Sequence, residues 1–111
     1  MVMYSPSVVA EGPLLLISGQ TPEQETIIPN NIEAQLDIVL NKIEDIIVSN
    51  QAKTANIVKM NIFITDTAYL AAVRKKVSAF LADTKPAMTL VVVAGLINEL
   101  YMAEIDATVQ L

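Results

Sequence analysis

The chain has 111 residues and contains neither cysteine nor histidine, which excludes disulfides, thiolate zinc sites and catalysis by a thiolate or an imidazole. Its net charge of −5 argues against binding to phosphate backbones, and its one basic cluster, Arg74-Lys75-Lys76, would point in different directions from a helix. Hydrophobic residues make up 53% of the chain, above the average of about 45–50%, which favours an apolar subunit interface over an apolar core under an ordinary surface.

The first half of the chain predicts a strand followed by a long amphipathic helix. Residues 14–17 are apolar and run into Ser18-Gly19-Gln20, which is typical of a strand end. The polar stretch 21–29 is bracketed by prolines and predicts a loop. Asn30 precedes Glu33 by three residues, as at a helix N-cap, and a helix of about five turns follows, ending near residues 49–50. Its apolar stripe consists of Leu36, Val39, Leu40, Ile43, Ile46 and Ile47.

The middle of the chain repeats this order. Residues 57–64 predict a strand with Val58, Met60, Ile62 and Ile64 on one face and Ile57, Lys59, Asn61 and Phe63 on the other. Thr65-Asp66-Thr67 offers N-cap chemistry for a second helix, which must end before Lys85-Pro86. Its apolar stripe consists of Leu70, Val73, Val77, Phe80 and Leu81.

The last third of the chain predicts two more strands. Residues 88–94 are apolar at nearly every position, which indicates a strand buried on both faces. Residues 101–111 alternate cleanly between an apolar and a polar face, and a further short strand is expected near residues 4–9. No repeat or linker interrupts the chain, so we predict one α+β domain over residues 1–111, with two helices on one face of a single sheet.

Two carboxylates are the most suggestive chemical pair. Glu104 and Asp106 share one face of the last strand, where a partly buried pair can separate its pKa values and supply an acid and a base. The alternative is an exposed face on which both are solvated. Ser18-Gly19 can present backbone N–H groups to an anion. From sequence alone, Arg74 is interpreted as a surface cation and Tyr4 as a packing residue.

Several segments follow one another in an order and spacing that match a known family. They are Tyr4-Ser5-Pro6-Ser7, Ser18-Gly19-Gln20, Asn30-Asn31-Ile32-Glu33-Ala34-Gln35, residues 58–66, Lys85-Pro86-Ala87 and Glu104-Ile105-Asp106-Ala107. With these segments the chain resembles the RidA/YjgF family, the reactive intermediate deaminases once described as L-PSP endoribonucleases. The resemblance extends over essentially the whole chain.

The resemblance implies a chorismate-mutase-like fold and a homotrimer, with the sheets in a central barrel and the helices outside. Family members bind small molecules in clefts between subunits, and the archetypes hydrolyse enamines and imines without a metal or other cofactor. Carried over by position, Tyr4 and Asp106 become catalytic residues, Asp106 as the carboxylate that positions water. Ser18 and Gly19 become substrate-binding residues, and Met88, Arg74 and Glu104 are the further candidates for substrate binding.

Several departures separate this chain from the archetype. Met88 stands where the family has the arginine that holds the substrate carboxylate, and a thioether cannot form that ion pair. Arg74 replaces a family asparagine, and Val77 replaces a tyrosine. Two functions stay open: a trimer that binds a small metabolite without archetypal deaminase activity, and a cofactor-free imine hydrolase in which Asp106 or Glu104 guides water and Arg74 substitutes for the missing cation.

The expected partners are other copies of the chain and a small molecule. Residues 1–7 lack the basic start of a signal peptide, and the longest uncharged apolar stretch, 90–97, is much shorter than the roughly 20 residues of a membrane span. We therefore expect a cytoplasmic protein with neither a nucleic-acid nor a membrane partner. A structural or regulatory role is a third option that no sequence feature supports.

Overall fold

The computed structural model describes residues 2–111 and contains a four-stranded mixed sheet with two helices on one face. The sheet order is β1-β4-β2-β3, in which β2 and β3 run parallel and the other pairs run antiparallel. This arrangement confirms the predicted α+β class. The elements are β1 (Leu14–Gln20), α1 (Ile32–Ser49), β2 (Ile57–Ile64), α2 (Leu70–Leu81), β3 (Ala87–Val92) and β4 (Ala103–Gln110).

Helix α1 begins at a side-chain cap, and α2 follows a capped turn, both close to the predicted positions. Asn31, one residue later than expected, caps α1 because its Oδ1 accepts a hydrogen bond of 2.9 Å from the backbone N–H of Ala34. Asp66 accepts from the N–H of Ala68 at 2.8 Å and caps a short 3₁₀ turn, Thr67–Tyr69, that leads into α2. Helix α1 has 18 residues, which is the predicted length of about five turns.

The core lies between the helices and one face of the sheet. Strand β4 alternates strictly between buried and partly buried residues, as predicted, and its buried members are Ala103, Ile105, Ala107 and Val109. Met60, Ile62 and Ile64 of β2 lie on the same side. The opposite side, which we call the open face, carries Lys59, Asn61, Phe63, Glu104, Asp106, Thr108 and Gln110.

Strand β2 differs from its predicted face pattern at its first residue. Ile57 pairs with Val109 and Lys59 pairs with Thr108, so Val58 is an extra residue in the ladder. This irregularity turns Ile57 into the core, where it is 3% exposed, instead of onto the face of Lys59. A strict two-residue period cannot reveal such an insertion.

Two other strand predictions are wrong for the single chain. Strand β3 is an edge strand rather than a strand covered on both faces, and its Val91 and Val92 are exposed. Residues 4–9 contain no strand, and only one isolated bridge joins Ser5 to Ala87. An apolar composition signals burial, but it does not say whether the same chain provides the cover.

A single buried amide ties the first helix to the last strand. Gln35 is fully buried on α1, and its Nε2 donates hydrogen bonds to the carbonyl oxygens of Pro29 at 2.7 Å and Leu100 at 2.9 Å. Its Oε1 accepts a hydrogen bond of 2.7 Å from the N–H of Met102. These bonds hold the segment that enters β4 against the start of α1.

Within residues 2–111, neither helix is long and apolar enough to span a membrane.

Replacing Gln35 with methionine should lower the free energy of unfolding by about 2 kcal/mol or more, because each buried polar group left unpaired costs about 1–3 kcal/mol. Urea denaturation at matched protein concentration measures this loss. Gln24→Met is the control, since Gln24 is exposed. Equal stability of the two variants would contradict the importance of the Gln35 amide.

Candidate functional site

Three of the residues that the sequence singled out meet at one cavity. Tyr4, Arg74 and Met88 line a space of about 510 Å³ between the N-terminal segment, α2 and β3. The other lining residues are Val2, Met3, Ser78 and Leu90. Arg74 therefore lines the same cavity as Met88, the residue that the family resemblance places at the position of the archetype's arginine. We call this space the β3 cavity.

The local sequence explains why the β3 cavity forms. Met88 pairs with the buried Met60, so it points to the helix side of the sheet, and Leu90 follows two residues later on the same side. The N-terminal segment is fastened across this edge. The N–H of Ser5 donates to Pro86 O at 2.9 Å, and Lys85 Nζ donates to Val2 O at 3.0 Å.

The three consecutive cations of α2 have different surroundings. Lys75 pairs with Glu33 at 3.2 Å, and Lys76 pairs with Asp37 at 3.0 Å, so both are held against α1. The hydrogen bond from Lys76 to Asp37 raises the pKa of the Lys76 ammonium above its usual value. Arg74 is exposed and forms no ion pair with any residue from 2 to 111. It is the cation that remains available to a ligand.

A second group of predicted residues lies at the other end of the sheet. Ile17 pairs with Ala107 and Gln20 pairs with Ile105, so Ser18 and Gly19 form a bulge opposite the single residue Asp106. The carboxylate of Glu104 rests directly against Gly19. A Cβ placed on Gly19 would overlap Glu104 Oε2 and lie 3.0 Å from Glu104 Cδ. Gly19 is thus needed for close approach of this carboxylate.

The two carboxylates of β4 differ in their hydrogen bonding. Asp106 Oδ1 accepts a hydrogen bond of 2.9 Å from Nδ2 of Asn61, its neighbour on β2. Glu104 accepts no side-chain hydrogen bond from residues 2–111 and lies at the Ser18-Gly19 bulge instead. Sequence reasoning assigned no role to Asn61. Its place opposite Asp106 becomes visible only once the register of β2 and β4 is known.

The two groups do not meet within one chain. The β3 cavity opens at the edge strand β3 on the helix side, whereas Ser18, Gly19 and Glu104 lie on and beside the opposite edge strand β1. Three inter-strand steps separate these edges, roughly 14 Å at the usual spacing. Among residues 2–111, no three acidic side chains converge in a way that would hold a metal ion.

The family model described as Endoribonuclease L-PSP matches residues 1–111. The chain belongs to the RidA/YjgF family. A RutC family protein of Buchnera aphidicola subsp. Schizaphis graminum is 33% identical over 84 residues, which make up 74% of this chain and 65% of that relative.

Solved structures of the family have the same fold. A Thermotoga maritima protein is 30% identical with a TM-score of 0.82, and the match covers 96% of this chain and 85% of that one. A YjgF/YER057c/UK114 family member from Mycobacterium tuberculosis is 26% identical with a TM-score of 0.81, covering 91% and 81% of the two chains. The E. coli YjgF gene product is 25% identical with a TM-score of 0.80, covering 99% and 98%.

Replacing Gly19 with alanine should displace the Glu104 carboxylate while changing the free energy of unfolding by less than about 0.5 kcal/mol, because the crowded atoms are the far end of a flexible side chain. The carboxyl carbon resonance of Glu104, assigned with Glu104→Gln, reports the displacement. Gly95→Ala is the control, because a Cβ there meets nothing within 4 Å. An unchanged Glu104 resonance in Gly19→Ala would refute the contact.

Proposed function

We propose that the chain forms a homotrimer that binds a small metabolite in clefts between subunits. Each cleft combines the β3 cavity of one subunit with the Ser18-Gly19 bulge and Glu104 of the next. The observation that carries this proposal is the separation of the two groups on opposite edges of the sheet, because only a neighbouring copy can bring them together.

Exposed apolar side chains on the two edge strands support the assembly. Leu14 and Leu16 on β1 pair with Gln110 and Thr108, so they belong to the open face, and Leu16 is 73% exposed. Val91 on β3 pairs with Phe63 and is also exposed there. A contact between open faces would remove this surface from water, at about 25 cal/mol per Å² of apolar area.

Within such a cleft, Glu104 is better placed than Asp106 to orient water. Its carboxylate lies at the bulge with free acceptor oxygens, whereas an oxygen of Asp106 is already engaged by Asn61. Imine hydrolysis needs an acceptor for a water proton while the water oxygen attacks the C=N carbon, and the resulting carbinolamine then releases ammonia. Glu104 could serve in this role without a metal or other cofactor.

Archetypal turnover of 2-imino acids should nevertheless be weak. Met88 cannot make the charge-assisted pair that an arginine makes with a substrate carboxylate. Metabolite binding is therefore the main proposal, and cofactor-free imine hydrolysis with Arg74 as substitute cation is the second. The second is favoured by one observation, the position of Arg74 at the same cavity as Met88.

Static light scattering should give about three times the 12.0 kDa chain mass.

The natural chain has no cysteine, so Ser18→Cys combined with Met88→Cys in every chain gives a background-free test of the cleft. A short bis-maleimide cross-linker should join subunits in this double variant, because the two sites of one chain lie far apart. Each single variant serves as control and should stay uncrosslinked, and a monomeric double variant without cross-links would overturn the proposal.

Decay of 2-iminobutyrate, generated in situ by a dehydratase, should be no faster with this protein than in buffer. Each 1.36 kcal/mol of lost transition-state stabilisation slows turnover about tenfold, and a buried charge pair contributes several times that amount. Met88→Arg should raise the rate if the rest of the cleft is intact. Archetype-like turnover by the unaltered protein would instead favour the hydrolase, with Arg74→Gln testing the substitute cation.

A further inference from the structure

The β3 cavity has an unusual distribution of chemistry. Val2, Met3, Met88 and Leu90 form its apolar lining, Tyr4 and Ser78 add two hydroxyl groups, and Arg74 is its one charged residue. The volume of about 510 Å³ lies within the range of small-molecule sites, about 300–1,000 Å³. Such a cavity favours a ligand with an apolar body and a single anionic end.

Arg74 is suited to hold that anionic end. The neighbouring cations Lys75 and Lys76 are paired with Glu33 and Asp37, whereas no acidic residue from 2 to 111 pairs with Arg74. A guanidinium presents two parallel N–H donors that match the two oxygens of a carboxylate. Its position on α2, rather than on β3, leaves the strand side of the cavity entirely apolar.

The methionine side chains that line the cavity indicate that the uncharged part of the ligand is a flexible apolar chain. Met88 and Leu90 lie two residues apart on β3 and so face the same side, and Met3 closes the space from the N-terminal segment. Methionine side chains adapt to flexible apolar groups and offer poor partners to a polar chain. The hydroxyl of Ser78 donates to Met3 Sδ at 3.5 Å, so one polar side chain of the lining is already engaged.

We propose that the β3 cavity binds aliphatic monocarboxylates, with the carboxylate on Arg74 and the chain along Met88, Leu90 and Met3. This inference deepens the proposed function by naming the ligand class of its cleft, and it rests on that function only for the second wall supplied by a neighbouring copy. The exchange of an arginine on β3 for one on α2 thereby moves the anionic end of the ligand away from the strand.

Isothermal titration with hexanoate and with its neutral counterpart hexanamide tests the charged end. Hexanoate should bind about tenfold tighter or more. Arg74→Gln should abolish this preference, while Lys75→Gln, which removes the same charge one position along α2, should preserve it. Equal binding of hexanoate and hexanamide, an equal effect of the two variants, or no binding of hexanoate would overturn the inference.

A chain-length series tests the apolar body. From butyrate to hexanoate, each added methylene should tighten binding about fourfold as it leaves water. Met88→Gln, which keeps the length of the side chain, should flatten this dependence while leaving the preference for hexanoate over hexanamide. Binding that does not depend on chain length would contradict the assignment of the walls.

The two proposals fail in different ways. A cross-linked trimer that binds no hexanoate would retain the proposed cleft and reject the ligand class. A monomer whose hexanoate binding depends on Arg74 would reject the inter-subunit cleft and retain the ligand class, because the β3 cavity is contained in one chain.

Discussion

The buried amide of Gln35 is the contact on which the geometry of the site depends. It pairs with the backbone of residues 29, 100 and 102, so it fixes where the chain enters β4 relative to α1. Two residues after Met102, Glu104 begins the polar row of the open face. A buried polar side chain with all its partners in place specifies one arrangement more strictly than apolar contacts, because any shift leaves donors and acceptors unpaired in a dry interior. The position of the Glu104 carboxylate is thus coupled to packing on the other side of the sheet.

The order of strands has an equally direct consequence for function. Because β4 and β2 occupy the centre, the strands that carry Ser18-Gly19 and Met88 become the two edges. Edge strands have unpaired backbone groups and, in this chain, exposed apolar side chains, which are the features of surfaces that associate. The residues that suggest chemistry therefore sit where a second copy of the chain would be joined. Assembly and ligand binding are two aspects of the same arrangement in the function proposed above.

The family resemblance predicts two linked substitutions, Met88 for an arginine on β3 and Arg74 for an asparagine on α2, and both residues line the same cavity. Considered singly, each substitution would weaken the case for the archetypal reaction. Considered together, they would keep one positive charge at the cavity while making its strand side apolar. Under the ligand class that we propose, this pair of substitutions changes the preferred ligand and does not abolish binding.

The sequence by itself determined the class of fold, because apolar residues that recur at helical and strand periods must share one buried face. Gln35 lies next to the apolar stripe of its helix, and that position was a signal of a buried polar contact. It also excluded thiolate and imidazole chemistry, and its resemblance to the family predicted the loss of an arginine at Met88. Tertiary structure alone decided the extra residue at Val58, the engagement of Asp106 by Asn61 and the nearness of Glu104 to Gly19. These features depend on the pairing of strands distant in sequence, and local periodicity carries no information on that pairing.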